Sequence, residues 1–408
     1  MKIFFILTLF LSSAGFAQPL GWSDIEQQIL GSNLQIQKSE LDLKALEHQG
    51  KSGLSPFAPE LAFIGGIGKK DTIELPEKGT QTYLRGRWNL FRGFRDIYTR
   101  KRLNLEEDRG RLRLEANRQL QLILAKELYR EILGTSNVLE IFQRELEANS
   151  QQKAMAGKKV AAGLTSSVDN LEFELRENTI QIRIQKIQIE KTKKLNELRT
   201  LLNLQGDATL EVTGELSLPP REVTGSVAND SSLSKKYQLD QQISEVEKNE
   251  VSAEFWPEVN LEAQYGRLTL QENSPTRNDE SNILLSISIP FFSGFDTYQK
   301  NKAQSYRSMS LIKEVELKKA EQRQRLIQLK LQLEQAWKLF DLNQASLKKI
   351  SKYYDLTLSE YKRGVKNSPD LVSASERYFE MQLQHFELIA ELNSIHTQFE
   401  KLSVGVIN

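Results

Sequence analysis

Two hydrophobic spacings alternate along the chain, and the alternation occurs twice. From Trp22 to Lys51 the apolar residues Ile25, Ile29, Leu34, Leu41 and Leu46 recur at helical intervals among polar neighbours. Gly53, Pro56 and Pro59 end that segment. The period then falls to two. Leu61, Phe63, Gly65 and Ile67 share one face, and Gly68 to Gly79 reads as a polar loop. A cleaner alternation follows, with Leu84, Gly86, Trp88 and Leu90 on one face and Arg85, Arg87 and Asn89 on the other. In the second half Val259, Leu261, Ala263 and Tyr265 alternate with Glu258, Asn260, Glu262 and Gln264. After a loop at 271–279, Ile283, Leu285, Ile287 and Ile289 alternate with Asn282, Ser286 and Ser288. The pattern predicts four strands at 57–68, 80–91, 256–268 and 281–292. Each is about 10 residues long, enough to cross a bilayer at a tilt.

Each strand pair runs into a long charged helix without proline. The first is predicted over 96–160, with Leu128, Ile132, Leu139, Phe142 and Leu146 at heptad positions and Thr135 in step with them. At about 1.5 Å per residue it is about 95 Å long. Gly163 breaks the pattern, and a return helix is predicted over 165–204. Within it Ile180, Ile182 and Ile184 alternate as in a strand. Helical spacing of Ile180, Ile184 and Ile187, with Glu, Lys and Leu on both flanks, favours helix. The second half predicts a helix from Leu233 to Glu254, a long helix over 297–363 and a return helix over 369–403. Thr209-Leu210-Glu211-Val212 is a candidate short strand, and Pro219-Pro220 marks a linker.

The recurrence is a duplication. Phe91 and Gly93 in Leu90-Phe91-Arg92-Gly93-Phe94 are echoed 201 residues later by Phe292 and Gly294 in Phe291-Phe292-Ser293-Gly294-Phe295. Gly163 and Asp169 are echoed at the same offset by Gly364 and Asp370. The repeats span 18–220 and 221–408. Each aromatic-x-Gly marker sits where a strand gives way to a helix, and glycine permits the sharp backbone change.

Composition narrows the function. Met1 to Ala17 reads as a secretory signal, with Lys2 as the positive start, a short apolar run and Gly15-Phe16-Ala17 before the cut. The sequence has no cysteine, which argues against a lipid anchor on cysteine, disulfides or thiolate chemistry. Lys2 is the one charged residue of the signal, so the mature chain holds 54 basic against 54 acidic residues. A neutral chain is a poor nucleic-acid binder. His48, His385 and His396 lie in no metal or nucleophile spacing. Gly65-Gly66-Ile67-Gly68-Lys69-Lys70 lacks phosphate-loop spacing. No enzyme activity, cofactor or metal site is expected. The strands fit a membrane barrel with a polar lumen, or a half-buried sheet in a soluble domain.

These residues together resemble the TolC-like outer-membrane efflux protein family, the outer-membrane channels of tripartite efflux and type I secretion systems. The resemblance covers the mature chain. It rests on the duplicated helix–strand–strand–helix order, the aromatic-x-Gly markers and two interhelical turns, at 161–169 and at 361–372. It implies an α+β membrane protein: a long coiled-coil helical tunnel in the periplasm and a 12-stranded barrel shared by a homotrimer, four strands per protomer. It implies passive export of small molecules or proteins, with a periplasmic adaptor, an inner-membrane pump of RND, ABC or MFS type and outer-membrane lipid as partners. A soluble periplasmic coiled-coil scaffold or adaptor is the alternative.

The same reading assigns places to residues. Arg85, Arg87, Asn89 and Glu262 belong to the barrel lumen, and Phe91, Gly93, Phe292 and Gly294 mark the strand–helix junctions. Lys158, Lys159, Gly163, Asp169, Lys362, Arg363 and Gly364 form the tip turns, where they dock an adaptor or are simply solvated. By alignment with the family's acidic aperture, Asp370 and Ser373 occupy the constriction, with serine replacing the second acid. Ser368-Pro369-Asp370 is also a good helix start, with Ser368 as cap.

Overall fold

The computed structural model describes residues 19–71, 76–205, 210–222, 232–271, 276–292 and 294–404. The secretory signal expected at 1–17 lies outside the described residues. The chain packs as two compact units. One takes residues 38–116 and 229–321, and the other takes the remainder. Neither unit is one of the sequence repeats, since each draws on both.

The first unit is built around one antiparallel sheet. Its strands are β1 (Glu60–Asp71), β2 (Pro76–Arg92), β3 (Glu258–Gln271) and β4 (Thr276–Ser288), in the order β1-β2-β3-β4. They have 12, 17, 14 and 13 residues, longer than the alternating stretches suggest. The expected polar loops are mostly strand. Lys69 pairs with Lys78 and Asp71 with Pro76, while Arg267 pairs with Asp279 and Leu270 with Thr276. Backbone pairing continues through polar residues because the ladder bonds do not depend on the side chains. Residues 72–75 and 272–275 lie outside the described residues. The other ends also differ from the sequence reading. A 3-10 turn at Ser55–Phe57 precedes β1, and β4 stops at Ser288, leaving Ile289 outside the sheet.

Each strand pair leads into a helix of 67 residues, α3 (Arg95–Ala161) or α6 (Asp296–Lys362). Before the strand pairs come α1 (Trp22–Ser32), α2 (Leu34–Ser52) and α5 (Ser232–Ser252). The helix expected from Trp22 to Lys51 is therefore interrupted. Asn33 takes an extended ψ of 122° and is 4% exposed. Its Oδ1 accepts from the amides of Gln35 and Ile36, each at 3.0 Å, so it caps α2. Its Nδ2 donates to the Leu201 carbonyl at 2.9 Å. A side chain that satisfies two helix ends makes the break worth keeping.

The second unit is helical, completed by α4 (Val168–Leu201) and α7 (Ser368–Val404). α4 is continuous through 179–184, with Ile180 and Ile184 buried. Against α7, α6 packs Leu329, Leu333, Trp337 and Phe340, which meet Leu388, Leu392, Ile395 and Phe399. α3 buries Ile132 and Phe142, and Phe142 packs with Ile180 and Ile184. Of the candidate strand at 209–212, Leu210 onward is described. Val212 forms a single parallel bridge with Leu20, with a bond from the Leu20 amide to the Glu211 carbonyl at 2.9 Å.

Candidate functional site

Strand register assigns the two faces of the sheet. Residues directly opposite across an antiparallel pair share a face. One row runs Leu61, Gly86, Ala263, Ile283, and the next Phe63, Leu84, Tyr265, Ser281. Trp88, Leu261 and Leu285 form a third. Apart from half-buried Leu261, the large apolar side chains of these rows are exposed, Ile283 at 78% and Phe63 at 74%. A large apolar surface facing outward needs a non-aqueous neighbour or a partner.

The opposite face carries the candidate lumen residues together. Arg87 lies opposite Glu262, Asn89 opposite Asn260, and Arg85 opposite Gln264. Glu262 is 3.4 Å from Arg85 and 3.8 Å from Arg87. Arg87, Asn89 and Glu262 line a polar cleft of about 500 Å³ with Arg92, Glu258 and Asn260. These pairs balance charge; Arg85 and Glu262 are half-buried and Arg87 is exposed.

At the strand–helix junctions the sequence reading missed two features. First, β2 has a bulge between Asn89 and Phe91. The extra residue, Leu90, breaks the alternation, so Phe91 lies opposite Val259 on the apolar face. A bulge has no signature in hydrophobic spacing. Second, two successive residues take the left-handed backbone: Gly93 and Phe94 at φ of 59° and 68°, and Gly294 and Phe295 at 64° and 66°. The phenylalanines accept this conformation while packing edge-on against the marker aromatics, Phe91–Phe94 at 5.1 Å and Phe292–Phe295 at 5.5 Å. The repeats are not equivalent here. Phe91 is within β2, whereas Phe292 lies beyond the end of β4 and is 72% exposed. Ser293 lies outside the described residues.

The two helix turns share one construction. Gly163 and Gly364 have φ of 71° and 81°. The Gly163 amide donates to the Val160 carbonyl and the Leu164 amide to the Lys159 carbonyl, at 3.0 and 2.9 Å. The Gly364 amide donates to Tyr361 and the Val365 amide to Glu360, at 3.1 and 2.9 Å. Both are glycine-closed helix C-termini of the Schellman type. Lys158, Lys362 and Arg363 are exposed. Lys159 is not a free surface charge: its Nζ donates to the Tyr361 carbonyl at 2.5 Å and sits 3.7 Å from the Tyr361 ring centre. Tyr361 is 1% exposed, packed with Ala156, Phe173, Leu371 and Val372. Lys159 thus ties the end of α3 to the end of α6.

Past the turns, the Thr165 hydroxyl donates to the Asp169 carboxylate. The helix start at 368–370 differs from the expected one. The cap is Asn367, whose Oδ1 accepts from the Asp370 amide at 3.0 Å. Ser368 is inside the helix, fully buried, with its hydroxyl 3.4 Å from the Tyr361 hydroxyl. The Asp370 carboxylate has a long, exposed pairing with Lys366 at 3.8 Å. Ser373 is half-buried on the next turn.

Burial lowers the pKa of His385 and of His396, and the His385 ring Nδ1 is 3.2 Å from the Asn343 amide oxygen. Among the described residues no group of His, Cys, Asp and Glu is placed to hold a metal, and no helix is long and apolar enough to cross a membrane.

Against known proteins, residues 235–402 match the family model described as outer membrane efflux protein. No curated protein matches by sequence. Among solved structures, the chain is similar in fold to the outer membrane protein VceC from Vibrio cholerae (12% identity, TM-score 0.78, covering 94% of this chain and 96% of that one). It is similar to the Campylobacter jejuni CmeC outer membrane channel (11%, 0.78, 94% and 86%). The open state of the Neisseria gonorrhoeae MtrE outer membrane channel matches at 13% identity and TM-score 0.80, covering 94% and 88%.

Proposed function

We propose that this chain, whose second repeat is an outer membrane efflux protein domain on the fold of TolC-like channels, is one protomer of a homotrimeric outer-membrane channel. The observation that carries the reading is the sheet. It has one exposed apolar face and an opposite face that carries Arg85, Arg87, Asn89 and Glu262, and among the described residues its outer strands β1 and β4 have no further strand beside them. Lipid tolerates neither open edges nor unpaired backbone. Four strands are too few to close on themselves, since the smallest such barrels use about eight. Three copies supply a closed 12-stranded wall, with the apolar rows toward lipid and Arg85, Arg87, Asn89 and Glu262 toward water. A soluble scaffold would leave Phe63, Ile283 and Leu285 uncovered.

The helical unit points the same way. Val168, Leu175, Ile182 and Ile189 recur every seven residues on α4 and are all exposed, from 57% to 69%. A seven-residue apolar line is the seam of a left-handed coiled coil, and a neighbouring copy would cover it. In this reading the helices form a periplasmic tunnel, reached through an N-terminal secretory signal. The turns at Gly163 and Gly364, with Lys158, Lys362 and Arg363, present a basic tip to a periplasmic adaptor, and an inner-membrane pump completes the system. Asp370 and Ser373 stand at the aperture. The capping role of Asn367 supports Asp370 there, because the carboxylate is not needed to start α7. Small molecules or proteins pass passively, and the chain performs no reaction.

The test is assembly. Light scattering in detergent should give three protomers per particle, with strand content by circular dichroism matching the sheet. A monodisperse monomer with full strand content would overturn the reading.

A further inference from the structure

Four helices of the helical unit line a cavity of about 700 Å³, open to solvent on one side, away from the turns. Its most buried polar group is Glu145 on α3, 2% exposed. Arg176 on α4, 8% exposed, donates from Nη2 to Glu145 Oε1 at 2.5 Å and from Nη1 to Glu376 on α7. That occupies one oxygen of Glu145. The other, Oε2, has no hydrogen-bond partner, and neither has Arg176 Nε. A buried carboxylate oxygen has given up its water, and its desolvation is offset only if a donor reaches it. Burial also pushes the Glu145 carboxyl above its usual range, against the pull of Arg176 and Arg183.

The cavity wall defines what that donor would be. It carries the carboxylates of Glu145, Glu376, Glu380 and Glu387 against the guanidiniums of Arg176, Arg183 and Arg377. Four against three leaves one negative charge. α6 contributes apolar Ile350, and α7 adds Met381 and Leu383. A group that donates to Glu145 Oε2, carries one positive charge and has an apolar body meets all three conditions. A bare metal ion does not, because the site lacks convergent ligands. We propose that this cavity binds a small amphiphilic organic cation, its ammonium donating to Glu145 Oε2 and its apolar part lying against Ile350, Met381 and Leu383. The site belongs to one protomer's helical unit and does not depend on the channel reading.

The probes are phenethylamine and 2-phenylethanol, which share a body and differ in the ammonium. Binding to the full chain in detergent is measured by isothermal titration calorimetry near neutral pH. The amine should bind and the alcohol should not. Glu145→Gln should weaken the amine roughly ten- to a hundredfold, the worth of one charge-assisted hydrogen bond. Should Glu145→Gln fail to assemble, the exposed pair Glu380→Gln/Glu387→Gln should still weaken binding with an unchanged circular dichroism spectrum. Equal binding of amine and alcohol, an amine affinity unmoved by these substitutions, or no binding by about 1 mM overturns the proposal. Loss of the trimer with amine binding intact would count against the channel and not against this site.

Discussion

The adjacent positions Asn282 and Ile283 on β4 separate the two faces of the sheet by one residue. Ile283 sits in the row Leu61, Gly86, Ala263, Ile283, one row from Phe63, Leu84 and Tyr265 on one side and one from Trp88, Leu261 and Leu285 on the other. It is therefore in the middle of the apolar band, and at 78% exposure nothing in its own protomer shields it. Asn282 lies opposite Gln264 on the polar face. An arginine on the lipid face at mid-bilayer depth costs about 2–4 kcal/mol. A trimer repeats it three times, giving roughly 6–12 kcal/mol, comparable with the whole stability of a typical domain of ~5–15 kcal/mol. Ile283→Arg should therefore abolish or nearly abolish the trimer, read by light scattering in detergent and by the urea midpoint of the assembled form. Asn282→Arg, with the same charge and volume placed toward water, should leave the trimer intact. Because the backbone ladder is common to both, a strand-propensity effect cannot separate them. Equal midpoints for the two variants, or the reverse order, would show that this face does not meet lipid.

Gly93→Ala and Gly294→Ala should part company. Both force an alanine to positive φ, at about 1 kcal/mol or somewhat more, but a Cβ at 93 would also lie 2.4 Å from the Trp256 Cβ and 2.5 Å from the Ala253 carbonyl oxygen, while at 294 it meets open space. Thermal unfolding should fall several degrees further for Gly93→Ala, and equal losses would mean the close approach relaxes freely. Asp370→Asn should lower cation selectivity and block by multivalent cations in planar-bilayer recordings, since three carboxylates in a narrow passage concentrate cations. A fall in thermal stability with unchanged selectivity would assign Asp370 to the helix start instead.

The sheet and the long helices were legible because their signals are periodic and sustained over many residues. What was not legible was local and depended on partners. The break at Asn33 follows from an asparagine that bonds to Leu201, far along the chain, and Gly31-Ser32-Asn33 is only a weak cue. The bulge at Leu90 leaves the hydrophobic count unchanged and shows only in which residue faces Val259. The hairpin ends extend through Lys69, Lys78, Arg267 and Asp279, where no alternation marks them. Charges were misjudged for a related reason: Lys159 reads as a surface lysine beside Lys158, yet it is held by the Tyr361 carbonyl and ring. Glu145 and Arg176 are ordinary heptad-flanking residues in sequence, and only packing buries them.

The duplication explains this division. A repeated unit conserves whatever a residue specifies through its own backbone. The positive φ of Gly93 and Gly294, the left-handed Phe94 and Phe295, and the matched bonds closing both turns recur at one offset. Contacts made by reaching another element need not recur, because the neighbour differs in the second repeat. Gly93 is pressed against Trp256 and Ala253, and Gly294 against nothing. Lys159 crosses to Tyr361, but its counterpart at the same offset is Glu360, whose carboxylate has no proton to donate to a carbonyl. Backbone rules are inherited by both halves, and side-chain partnerships by one. An asymmetric feature in a duplicated chain is therefore where specific function should be sought, and the buried Glu145–Arg176 pair, whose partner Glu376 comes from the other repeat, is such a feature.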